Sequence, residues 1–94
     1  MTSDYPIGAT IAEREKTHGA WEDNSTTSQA LKDFWRKSRN WPILTVSERE
    51  SLDMLATKVA RILNGDPTFD DHWHDSKGYL ELGHPEPDNK PLQG

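Results

Sequence analysis

Apolar residues recur one helical turn apart in four stretches of the chain. Over residues 7–18 they are Ile7, Ile11 and Ala12, expected to face inward, and Gly19 is a natural residue to close this first helix. Residues 20–25, AWEDNS, read as a loop. A second helix is expected to start between Ser25 and Thr27, any of which could cap it. It buries Ala30, Leu31, Phe34 and Trp35 and stops near Asn40, because Trp41-Pro42 disfavours its continuation. Thr45 to Glu48, TVSE, fits a capping box, in which two side chains satisfy orphan backbone donors. The third helix then runs to about Leu63 with an apolar stripe of Leu52, Leu55, Ala56, Val59, Ile62 and Leu63. Asn64-Gly65 ends it, Gly65 being expected at positive φ. Thr68 is positioned to cap a fourth helix, with Asp70 and Asp71 in its dipole-favoured first turn and Leu82-Gly83 at its end. No strand pattern and no internal repeat emerges. The expected architecture is all-α, a small four-helix bundle.

Composition adds a constraint on burial. With 94 residues and only 32% apolar content, a core confined to one chain is thin, and small domains with thin cores gain burial by oligomerising. A helical dimer or higher assembly is therefore expected. Residues 1–6 read as a flexible N-terminus, 7–83 as one helical domain, and 84–94, HPEPDNKPLQG, as a disordered tail rich in proline.

Charge and cysteine content narrow the function classes. A formal net charge of −5 argues against general nucleic-acid binding, which needs a basic field. An acidic protein still binds a nucleotide when cations bridge the charges. The absence of cysteine removes thiolate chemistry and disulfides. No apolar run approaches the length of a membrane span, and MTSDYPIGAT lacks the features of a signal peptide. A soluble cytoplasmic protein is expected.

The chemistry-bearing positions lie between Glu50 and Leu82. Glu50 and Asp53 are three apart on the third helix, and Asp71 and Asp75 four apart on the fourth, so each pair shares a helical face. Four carboxylates facing one another across two helices repel unless a cation lies between them. That pattern suits Mg²⁺ or Mn²⁺, which take oxygen ligands and share their shell with phosphates. Lys58 and Arg61 would then neutralise phosphate charge. The plainer reading makes Glu50 and Asp53 solvated surface acids paired with Arg49 or Lys58. Gly78 falls on the Asp71/Asp75 stripe, where the missing side chain permits either a tight helix crossing or a ligand. His72 and His74 are legal zinc ligands but diverge at a spacing of two. His18 reads as a cap or packing residue. Of the four tryptophans, at 21, 35, 41 and 73, most are expected in the core, while Trp73 or Tyr79 could stack on a base.

Three blocks carry a resemblance. Glu13-Arg14 with Thr17-His18-Gly19, then LDMLATKVARILNGDP, then D-x-W-x-D-x-x-GYLEL resemble a family of small phage and prophage proteins similar to the all-α nucleoside-triphosphate pyrophosphohydrolases of the MazG-like and dimeric dUTPase group. The resemblance covers most of residues 11–82. It implies a helical fold assembling as a dimer or tetramer, in the host cytoplasm if phage-encoded. It also implies Mg²⁺ held by Glu50, Asp53, Asp71 and Asp75, with Lys58 and Arg61 facing phosphate. The chain departs from the pattern at His18, Ser76 and Lys77, and in the four-residue spacing of Asp71 and Asp75.

The expected function is Mg²⁺-dependent hydrolysis of a (d)NTP or related nucleotide to the monophosphate and pyrophosphate. The departures leave open a non-catalytic binder of nucleotides or cyclic-nucleotide second messengers, acting as a phage counter-defence sponge. A purely structural helical interaction module is the third alternative.

Overall fold

Helix α3, Val46–Asn64, is the spine against which the other helices pack. Its start is fixed as the sequence indicates. The Thr45 hydroxyl accepts from the Glu48 N–H at 3.0 Å, and Glu48 Oε1 accepts from the Thr45 N–H at 2.9 Å. Such a cap contributes about 1 kcal/mol. The computed structural model describes residues 7–87, with side chains from Thr10 onward. The expectations for residues 1–6 and 88–94, and for the side chain of Ile7, lie outside the described residues. Those residues form α1 (Ile7–His18), α2 (Trp21–Arg36), a 3₁₀ turn (Trp41–Ile43), α3 and α4 (Asp70–Gly83). The protein is all-α, with no strand among the described residues.

Several boundaries differ from expectation. Residues 21–25 are not a loop: α2 begins at Trp21. Gly19, at φ 84°, reverses the chain in a conformation that only glycine adopts cheaply. Ala20 is then already extended as the N-cap, and Glu22 and Asp23 sit in the first turn, where the helix dipole favours them. At its other end α2 stops at Arg36, and Pro42 enters the 3₁₀ turn instead. Thr68 does not cap α4: its hydroxyl and N–H both donate to Asp66 Oδ1, and Phe69 takes the N-cap position without a side-chain bond.

The helices approach most closely at small residues. Antiparallel α3 and α4 cross where Gly83 meets Ser51. Ser51 donates from Oγ to the Tyr79 carbonyl, and Ser47 Oγ donates to the Gly83 carbonyl at 3.3 Å. Gly65, expected at positive φ, has φ −114°. Its role is approach rather than handedness: a Cβ there would run into the backbone of Thr17 and His18. The Asp66 N–H donates to the Thr17 carbonyl at 3.0 Å and completes the junction of α1 with α3. The tight crossing considered for Gly78 does not occur, since nothing lies within 4 Å of a Cβ built there.

Of the apolar stripe of α3, Ala56 is buried, Leu52, Leu55, Val59 and Ile62 are half-buried, and Leu63 is exposed. Among the described residues the buried hydrophobic ones are two alanines, Ala56 and Ala60, accompanied by Ser28, Ser51, Lys58, His72 and Ser76. A helix flanked closely by two others leaves room only for small side chains between them. The tryptophans are correspondingly outside: Trp21 and Trp73 are exposed, and Trp35 and Trp41 half-buried. Ile11, Ala12, Ala30 and Phe34 are exposed as well, against the inward faces expected of them. The radius of gyration of 16.0 Å exceeds the roughly 12 Å of a compact domain of this length. No described helix is long and apolar enough to cross a membrane.

Candidate functional site

The three sequence blocks meet at one place, the junction of the end of α1, the second half of α3 and the first half of α4. Gly19 and Gly65 allow the backbones to touch there. On α3, Lys58 is buried and its Nζ lies 3.0 Å from Asp75 Oδ2 of α4. That hydrogen bond and the ammonium charge hold the Asp75 carboxyl below its ordinary value.

Beside this pair lies a cluster of rings. His72 is 1% exposed, and its centroid lies 4.5 Å from that of His18, edge to face, and 5.0 Å from that of Phe69. His72 Nε2 is 3.3 Å from the Thr17 carbonyl. Donation from Nε2 requires the tautomer that leaves Nδ1 bare, and Nδ1 is buried with no hydrogen-bond partner. A 2.6 Å hydrogen bond joins His18 Nδ1 to the Thr17 hydroxyl. Burial, followed by the charges of Arg14, His72, Arg61 and Lys58, pushes His18 down to about 4. Burial also lowers His72, aided by Lys58 and Arg61 and opposed by the Thr17 carbonyl and Asp75. Both imidazoles are therefore neutral at pH 7.

Two arginines complete the junction. Arg61 is half-buried and Arg14 exposed. Burial and the neighbouring Arg14 charge lower the Arg61 pKa, while Tyr79 and Asp75 oppose them. Among the described residues neither guanidinium makes an ion pair. In a chain of net charge −5, the local result is cationic: Asp75 balances one of three permanent positive charges.

The four carboxylates of the expected metal site are dispersed. Asp53 faces α2, where Arg36 Nη2 donates to its Oδ2 at 2.8 Å and Trp35 Nε1 to its Oδ1 at 3.4 Å. Asp71 is exposed in the first turn of α4. Glu50 borders a groove between α3 and α4 that also reaches Tyr79 and Leu82, and these two in turn border an open depression with Asp75 and Gly78. One chain thus brings Glu50 and Asp75 to the two sides of Tyr79 and leaves Asp53 and Asp71 elsewhere. No three His, Asp or Glu side chains among the described residues are placed to hold one metal ion.

The candidate ligand-facing aromatics also separate. Tyr79 is half-buried in the α3–α4 groove. Trp73 is half-exposed and donates from Nε1 to the Pro67 carbonyl at 3.0 Å, which ties it to the turn before α4. His74 is in solvent, as its divergence from His72 implies. His18 packs, as expected of it, here against Phe69 and His72, whereas the placing of Arg14 and His72 at this junction was not expected from the sequence. The signal available was the pair of glycines, in T-H-G and N-G-D, whose absent side chains let these blocks come together.

Comparison with known proteins found no matching family model, no matching curated protein and no matching solved structure.

Proposed function

We propose that the protein binds a nucleotide or another phosphate-bearing nucleotide derivative at the junction of α1, α3 and α4. One observation carries this reading: Arg14, Lys58 and Arg61 converge in an otherwise acidic chain, and of the three only Lys58 is ion-paired, to Asp75. Holding like charges together without counter-ions costs free energy that a phosphate dianion would relieve. Guanidinium groups suit that task because their planar fork matches phosphate oxygens. The neutral histidines keep the surroundings polar without adding charge at pH 7.

A hydrolytic reading, with Mg²⁺ or Mn²⁺ and release of pyrophosphate and the monophosphate, is favoured by Glu50 and Asp75 flanking Tyr79. Two carboxylates fall short of a metal centre, so this reading requires donors from a second copy. Assembly as a homodimer or homotetramer belongs to it. The exposed side chains of Phe34, Ile43, Val46, Leu63 and Leu82 supply apolar surface that a second copy would cover.

The test is calorimetric titration of the full chain with the ribo- and deoxynucleoside triphosphates, with and without Mg²⁺, followed by recovery of the ligand. Binding is expected, weakened about tenfold or more in Arg61→Ala, as loss of a charge-assisted contact predicts. Saturation at about 100 times Kd should raise stability by about 2.7 kcal/mol. Intact ligand marks a binder; monophosphate and pyrophosphate mark a hydrolase. Absence of binding by every nucleotide would remove the reading.

A further inference from the structure

A cleft of about 270 Å³ opens between α1, the first turn of α2 and α3. Nothing in the spacing of the acidic residues pointed to it. Its cationic wall is formed by Arg14 and Arg61, neither of which makes an ion pair among the described residues. Its apolar walls are Ile11 and Trp21, 49% and 75% exposed. An indole so exposed at the first position of a helix contributes little to this chain's own burial. Glu15 is the one carboxylate on the rim. The floor is fixed: Asn24 Nδ2 donates to the His18 carbonyl at 2.6 Å, and Gly19 is wedged against the backbone of Asn64 and Gly65. A rigid cleft spares a ligand the entropy of ordering its own site.

We infer that this cleft seats the nucleotide, with phosphate held between Arg14 and Arg61 and the base laid against Trp21. The inference rests on the nucleotide-binding reading and deepens it by moving the base to α1 and α2, away from Trp73 and Tyr79 on α4. The volume lies near the lower end of small-ligand pockets, about 300 Å³. It therefore accepts the base and the first phosphate and leaves the remainder of a triphosphate in solvent. An aromatic face stacks on any base, so this geometry predicts weak discrimination among bases and strong dependence on phosphate.

The test pairs two probes, inorganic pyrophosphate and the nucleoside triphosphate that the wild type binds tightest, titrated by calorimetry. Trp21→Ala is expected to weaken the nucleotide about tenfold, the loss of one base–aromatic stack, and to leave pyrophosphate unchanged. Arg14→Ala is expected to weaken both probes. Both side chains are exposed, so the melting temperatures of the free variants should match the wild type and exclude misfolding. Trp21→Phe should retain most of the affinity. Unchanged nucleotide affinity in both Trp21→Ala and Arg14→Ala overturns the placement while nucleotide binding stands, as does a loss confined to Tyr79→Ala. A wild type that binds no nucleotide overturns both readings.

Discussion

Replacing Gly65 by alanine is expected to pry α1 from α3 and lower the melting temperature by more than about 10 °C. A Cβ at this position would lie 2.6 Å from the His18 carbonyl carbon and 2.8 Å from the Arg61 carbonyl oxygen, and nearer still to the Thr17 oxygen. All three are backbone atoms, so no side chain can rotate out of the way. Relief requires α1 to move, which breaks the 3.0 Å bond from the Asp66 N–H to Thr17 and the 3.3 Å bond between His72 and the same carbonyl. Overpacking costs about 1–3 kcal/mol, and each lost hydrogen bond about 1 kcal/mol. The total of about 3 kcal/mol or more corresponds to that shift in a domain of this size, at about 4–8 °C per kcal/mol. Gly78→Ala is the matched control. It meets empty space and should stabilise α4 by about 0.5–1 kcal/mol. A Gly65→Ala protein that melts with the wild type would disprove the account of the junction.

The second large effect is expected from acid. His18 titrates at about 4 in the folded chain, and His72 is lowered too, whereas in the unfolded chain both sit near 6.5. Between those values the unfolded state binds protons that the folded state refuses. Stability therefore falls as pH drops from about 6.5 and stops falling, on this account, once His18 is protonated in both states near 4. Every charged group that shifts His18 pushes it downward: Arg14 from α1, Lys58 and Arg61 from α3, and His72 from α4. For His72, Asp75 is the one charged group acting in the opposite sense. Glu48, Asp66 and Asp75 are all held below their ordinary values, so their contributions are lost at lower pH. Urea unfolding at steps from pH 7.5 to 4.5 should show the decline, and His72→Phe should flatten it. A flat profile in the wild type would mean that the pair is not buried as described.

The local codes were legible where a single residue decides the outcome. Ile7–His18 matches the expected bounds of α1, Gly19 supplies the left-handed turn, and the Thr45–Glu48 box starts α3. The start of α2 was not legible, because AWEDNS carries loop-forming residue types. What makes it helical is the sharp reversal at Gly19 and the bond from Asn24 to the His18 carbonyl. Burial was misjudged for one physical reason. Periodicity marks which residues share a face, but not how closely the facing helix comes, and at the crossings of α3 the small residues were buried and the large ones left at the edges. The same limit dispersed the acidic pairs: Asp53 shares a helix with Glu50 yet faces α2 and Arg36, while Lys58 reached Asp75 across the helix pair. The gathering of Arg14, His18 and His72 could not be read from spacing within any one helix, since it depends on where α1 ends against α3.

The two buried alanines on α3 have a thermodynamic consequence. The heat capacity gained on unfolding follows the hydrocarbon newly given to water, and this chain withholds little from water when folded. Its stability as a monomer is consequently a shallow function of temperature, without the pronounced dome of a well-filled domain.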